Sequence, residues 1–169
     1  MKLKAKLIST IAAFAMVLCL TIVGVWAAAT VTVSVTGNVS YTATDVNALV
    51  EGSITGITEE GKTYSHEFNA SSTADTDTWD LSNITFVKNQ KVVITLKVTN
   101  KSTERSLTAT LANNGEATGT NTTAALGETT STTIAAGDNE SFTFTIEVGD
   151  WNKAASYAIK LGLTLVNVA

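Results

Sequence analysis

Lys91-Val92-Val93-Ile94-Thr95-Leu96-Lys97-Val98-Thr99-Asn100 is the stretch that decides the fold class. Val92, Ile94, Leu96 and Val98 fall on every second residue, with Val93, Thr95, Lys97 and Thr99 between them. Successive side chains of a strand point to opposite faces, so this pattern describes a strand with one face in a core and the other wet. Asn139-Glu140-Ser141-Phe142-Thr143-Phe144-Thr145-Ile146-Glu147-Val148 reads the same way. Asn89–Asn100 and Asn139–Asp150 align at an offset of 50 residues, each a polar turn, a four-residue apolar stripe and a polar exit. Two strands in similar surroundings converge on such a pattern, which is a simpler cause than a duplicated half-domain. Ile94, Leu96, Phe142, Phe144 and Ile146 are accordingly expected in the core.

Alternation continues in both directions. Val31, Val33 and Val35 alternate with Thr30, Thr32, Ser34 and Thr36; Gly37-Asn38 interrupts as a hairpin or bulged bend, and Val39, Tyr41 and Ala43 resume the stripe. Val46, Ala48 and Val50 lead into Ser53 to Ile57, and Glu59-Glu60-Gly61-Lys62 reads as a turn before Thr63 to Phe68. Asn69 to Asp77 reads as a small, polar loop, after which Trp79, Leu81, Ile84 and Phe86 restore apolar side chains. Ser106 to Leu111 is a further strand, and Asn113 to Thr123 a long connection. Tyr157, Ile159, Leu161, Leu163 and Leu165, with Val166, form the last strand. No stripe of helical period persists for a usual helix length. The expectation is an all-β chain: an antiparallel β-sandwich, Ig-like or jelly-roll, after an N-terminal signal helix. Threonine suits such a sheet, because its β-branched side chain fits a pleated, half-wet surface.

The N-terminus has a different character. Lys2, Lys4 and Lys6 precede an uncharged apolar run from Leu7 to Val25, and Ala27, Ala28 and Ala29 follow. That order is the signature of a secretory signal, and cleavage is expected after Ala27 or Ala29. Residues 1–29 are thus assigned to the signal and 30–169 to one sandwich domain, exported to the cell surface or beyond. An uncleaved membrane anchor is the alternative, since a run of this length can span a bilayer. Cys19 lies inside the run after Leu18 and reads as apolar filler.

Removal of the signal takes three lysines away, so the formal charge of −4 becomes 8 basic against 15 acidic residues, or −7. An acidic domain has no clustered Lys and Arg for nucleic acid or anionic headgroups. Contact with a membrane is expected only through the signal segment before cleavage. Without Cys19 the domain has no cysteine, and so neither a disulfide nor a thiolate.

Catalytic chemistry finds little purchase. His66, the single histidine, alternates with Tyr64 and Phe68 and has no orienting partner or nucleophile visible in sequence. No HExxH, GxSxG, CxxC or phosphate-cradling Gly loop occurs. Asp75, Asp77 and Asp80 are weak candidates for calcium, since no glycine sits at the sharp turn and no glutamate closes the site. No metal and no cofactor is expected. Trp79 and Trp151 are candidate ligand contacts as a sugar-stacking pair, with core packing as the plainer role. Asn-x-Ser/Thr sequons stand at Asn38, Asn69, Asn83, Asn100, Asn121 and Asn139; in so Thr-rich a chain several arise by composition.

The chain has no proline. Sandwiches guard edge strands with Pro, charge or bulges, yet Ala28 to Thr36 is uncharged and alternates Val with Thr. Val31, Val33 and Val35 therefore mark a candidate assembly strand, able to pair within its own subunit or with a neighbour. A signal ending in small residues, this strand, and the phrases Asn89 to Asn100 and Gly137 to Val148 together resemble the secreted biofilm-matrix fibre subunits and camelysin-like surface proteins of Gram-positive bacteria. The resemblance spans most of the chain and lies in pattern. It implies a jelly-roll or Ig-like sandwich that assembles into extracellular fibres by donating its N-terminal strand, with self-association or other cell-surface components as partners. No zinc motif is present to carry the protease activity described for camelysin-like proteins. Three readings follow: a structural or adhesive surface protein, a carbohydrate- or peptide-binding module using Trp79, Trp151 and the Asp75 to Asp80 loop, and, least supported, a hydrolase.

Overall fold

The computed structural model describes residues 33–56, 62–82, 84–86, 91–118, 122–149 and 155–168. Residues 1–29, read from sequence as a secretory signal, together with Val31 and Trp151, lie outside these residues. The strands are, in chain order, β1 (Val33–Thr44), β2 (Asn47–Thr55), β3 (Thr63–Asn69), β4 (Ala74–Asp80), β5 (Ile84–Phe86), β6 (Lys91–Asn100), β7 (Leu107–Asn113), β8 (Glu116–Thr118), β9 (Thr122–Leu126), β10 (Ser131–Ile134), β11 (Asn139–Val148) and β12 (Ala155–Asn167). No described segment is helical.

Two sheets pack face to face as a β-sandwich. Sheet A runs β10-β7-β12-β1-β4, with β5 also pairing β1 and β8 pairing β12; sheet B runs β3-β2-β6-β11-β9. Apolar stripes from both close one core. Ile94, Phe142, Phe144 and Ile146 are fully buried and Leu96 nearly so, opposite Val39, Tyr41, Ile159 and Leu165 of sheet A. β6 and β11 are direct neighbours, with Val92 beside Ile146, Ile94 beside Phe144 and Leu96 beside Phe142. Their sequence similarity has this local cause: both lie mid-sheet and bury the same face.

The wet faces differ. On sheet B, cross-strand partners carry opposite charge, as in Lys91 with Glu147 at 3.2 Å and Lys97 with Glu51 at 3.6 Å. On sheet A the registers set Thr76, Thr42, Thr164, Thr110 and Ser131 in one row across five strands. Neighbouring hydroxyls touch there, Thr110 Oγ1 lying 2.9 Å from Ser131 Oγ.

Several segments depart from the sequence reading. Gly37-Asn38 is neither a hairpin nor a break: β1 runs straight through it, in unbroken register with β12. Its irregularity falls on the partner side, where β4 and β5 pair β1 in turn and Leu81 between them donates to the Gly37 carbonyl at 2.9 Å. The stretch read as a loop from Asn69 to Asp77 contains most of β4. Its inward positions begin with Asp75 and Asp77 at the rim and reach an apolar side chain only at Trp79, so apolar alternation could not reveal it. Asn113 to Thr123, read as a connection, carries β8 and the start of β9, short strands with little apolar surface. Among the described residues the ladders are antiparallel as expected, except that β1 and β12 are parallel.

Asn100 closes one end of the sandwich. Its side-chain amide donates to the carbonyls of Arg105 at 2.8 Å, Ile134 at 3.1 Å and Ala135 at 3.1 Å, and its Oδ1 accepts from Ser102 N at 3.0 Å. At 1% exposure this sequon asparagine is a structural hub. Asn100→Leu strips three carbonyls of a donor; the bond to Ile134 is buried and those to Arg105 and Ala135 are partly so, and an orphaned, fully buried group costs about 1–3 kcal/mol. The expected loss, read by urea unfolding, is about 2–4 kcal/mol; an unchanged midpoint would remove Asn100 as a hub.

Candidate functional site

Two neighbouring features carry the chemistry: the seat of β1, and a polar cluster at the rim beside it. β1 is flanked by β12 on one side and by β4 and β5 on the other. Val35, Val39, Tyr41 and Ala43 point inward with no exposed surface. Along the ladders Val39 lies between Leu161 and Trp79, and Tyr41 between Leu163 and Asp77. No residue of β1 is charged. Gly37 fits the seat through lack of a side chain. Its φ is +131°, and a Cβ there would lie 2.0 Å from the Ile159 carbonyl oxygen. Of the candidate assembly residues, Val35 is buried here, Val33 contributes backbone pairing to Ala155 and Phe86, and Val31 falls outside the described residues.

The rim cluster assembles from the edge strands of opposite sheets. On β3, alternation turns Tyr64, His66 and Phe68 inward; on β4, Asp77 and Trp79 share a face by the same rule. Tyr64 donates its phenol to Asp77 Oδ2, and His66 Nδ1 lies 3.2 Å from the same oxygen. Thr78 N donates to Asp77 Oδ1 at 2.8 Å. Aromatic packing supports the polar contacts. Tyr64 stacks on Tyr41 with centroids 4.6 Å apart and planes at 11°, and Trp79 lies at 5.9 Å on Tyr64. His66 meets Phe68 edge-on at 4.7 Å.

The electrostatics follow. Partial burial pushes the Asp77 carboxyl upward, yet the Tyr64 phenol, the Thr78 amide and the His66 imidazole together outweigh it and hold the group below its ordinary value. Burial, then the hydrogen bond to Asp77 and its negative charge, drives the Tyr64 phenol well above its usual range. Tyr41 is raised by burial and by Asp77, and its hydroxyl is buried without a hydrogen-bond partner.

Sequence left His66 without an orienting group; the structure supplies Asp77. The signal lay in the parity of Tyr64-x-His66-x-Phe68 and Asp77-x-Trp79, but parity alone does not say that β3 and β4 face one another. Among the described residues no Ser or Thr hydroxyl is hydrogen-bonded to His66.

The three aspartates are not brought together. Asp80 lies on the opposite side of β4 from Asp77, where its carboxylate accepts from Ser82 N at 2.8 Å and meets Ser82 Oγ at 3.2 Å. Asp75 is exposed and accepts from Thr76 N. Among the described residues no three His, Cys, Asp or Glu side chains are grouped to hold a metal ion. Trp79 is 6% exposed and its ring covers Gly52, whose Cβ would sit 2.5 Å from Trp79 Cζ3. Its faces are taken up by Tyr64 and the glycine, leaving none on which a sugar ring can stack. Trp151 lies outside the described residues. No protein-family model matches the chain, and no curated protein matches it.

Proposed function

We propose that the chain is an exported, non-enzymatic structural or adhesive surface protein whose units join by exchanging β1. The partner is a second copy of the chain or another cell-surface component. The observation that carries this reading is the place of β1 in sheet A. An uncharged strand of 12 residues lies mid-sheet beside β12 and β4, while its chain neighbour β2 belongs to the other sheet. A strand not hairpinned to its sheet neighbours can be replaced by the same strand of another copy with every ladder bond and side-chain pocket reproduced. Passed from each unit to the next, it makes an open head-to-tail contact, and open contacts build filaments. The sugar-binding reading has no comparable support, because Trp79 is buried.

The exported protein is expected to form polymers that grow with concentration, followed by light scattering and electron microscopy. Val35→Lys places an unpaired charge at a fully buried position, which costs several kcal/mol in either the donor's or the acceptor's sheet. It should abolish polymer and prevent incorporation into wild-type polymer. Wild-type protein that stays monomeric across concentration and pH overturns the reading.

A further inference from the structure

β4 belongs to sheet A only through β1. It is the last strand on that side, and its ladder pairs Asp80–Ala74 with Asn38–Thr44. Its ties to sheet B are of another kind: Trp79 lies on Gly52 of β2, and Asp77 is held by Tyr64 and His66 of β3. If β1 withdraws, the backbone ladder of β4 goes with it, while these side-chain ties remain.

We propose that Asp77, Tyr64 and His66 form a proton-operated clasp that keeps β4 in place as the outer wall of the β1 seat when β1 moves. The use of the clasp in assembly rests on the exchange of β1 proposed above; the clasp itself can be tested without it. Asp77 is the hub, because one carboxylate accepts from the Tyr64 phenol and the Thr78 amide and faces His66 Nδ1 at 3.2 Å. Hydrogen bonds to an ionised acceptor are roughly twice as strong as neutral ones. A proton on Asp77 removes that gain.

The groups facing Asp77 from the packed elements are Tyr41 on β1, Tyr64 and His66 on β3, and Asp75 two residues away on β4. Both phenols stay neutral in the acid range, and of these groups Asp77 is the one that accepts from the Tyr64 phenol and the Thr78 amide. Its carboxyl is held below the ordinary value in the folded chain. The clasp is therefore fully present above the ordinary carboxylate range and is lost as pH falls through the lowered value. A second tie, Lys62 Nζ donating to the Ser82 carbonyl at 2.5 Å, does not involve Asp77 and holds the end of β4 beyond Asp80. Acid is thus expected to free the middle of β4 first.

Hydrogen exchange of the full chain at about pH 7 and about pH 3, with rates corrected for intrinsic exchange, tests this. In wild type, β4 amides should exchange on the order of tenfold faster at the lower pH relative to those of β6 and β11. Asp77→Asn should exchange fast in β4 at both pH values, with a ratio near one. Tyr64→Phe, which keeps the ring stack and deletes the phenol donor, should speed β4 exchange at neutral pH, and decides the matter if Asp77→Asn does not fold. Asp80→Asn should behave as wild type. The clasp is overturned if Asp77→Asn keeps the wild-type ratio, if Tyr64→Phe leaves β4 protected as in wild type, or if β6 and β11 lose protection together with β4. Absence of polymer in wild type with these ratios intact removes the exchange reading and leaves the clasp standing; the reverse result removes the clasp alone.

Discussion

Phe144→Ala is expected to lower the free energy of unfolding by about 3–5 kcal/mol. Phe144 is fully buried on β11, flanked across its ladders by Ile94 of β6 and Leu126 of β9. Its ring also reaches the opposite sheet, with its centroid 5.8 Å from that of Tyr157 on β12. Truncation removes apolar surface and leaves a cavity between two sheets, each held in shape by its own hydrogen-bonded ladders. Such a site collapses poorly, which places the cost toward the top of the range for large-to-small changes. Ile94→Val, a smaller deletion at the neighbouring position, should cost about 0.5–1.5 kcal/mol. Urea unfolding measures both; a loss below about 1 kcal/mol for Phe144→Ala would contradict the core drawn here.

Gly37→Ala is expected to be nearly as damaging, for a different reason. The backbone at Gly37 has φ +131°, a region that side chains rarely enter, and the new Cβ would meet the Ile159 carbonyl oxygen at 2.0 Å and nitrogen at 2.7 Å. Both are backbone atoms of the paired strand and cannot rotate aside. Relief requires β1 to lift away from β12, opening the parallel ladder. Backbone strain of about 1–3 kcal/mol adds to an overpacking cost of about 1–3 kcal/mol, so the loss should reach at least about 2 kcal/mol. Gly162→Ala on the adjoining strand is the control. Its Cβ would meet nothing within 4 Å, and the change should stay within about 0.5 kcal/mol. Equal melting temperatures for the two variants would mean that β1 is not seated at Gly37 as described.

The inward faces of β6, β11 and β12 were legible in sequence because each carries an unbroken apolar stripe long enough to fix its period. β4, β8, β9 and β10 were not, because they are short or lie at the rim, where an inward position need not be apolar. Asp77 illustrates this: it occupies an inward position yet is a carboxylate, satisfied by Tyr64, His66 and a backbone amide. Trp79 could be read as core or as an exposed platform until Gly52 was seen beneath its ring.

Sequence by itself determined that this chain is an all-β sandwich and that Ile94, Leu96, Phe142, Phe144 and Ile146 lie in its core, because alternation of side chains is a local property of each strand. It also marked the Val/Thr segment of β1 as uncharged and free of proline. Which strands become neighbours was decided only in the tertiary structure. Alternation separates inside from outside but carries no label for the partner, and the pairing of β1 with β12 joins segments more than a hundred residues apart. The same holds for the rim cluster. Asp77 and Tyr64 are 13 residues apart in sequence, but they meet only because β3 and β4 end as the edges of opposite sheets. That meeting depends on the strand order of the whole sandwich, which follows from how two complete apolar faces close on each other and from no single segment.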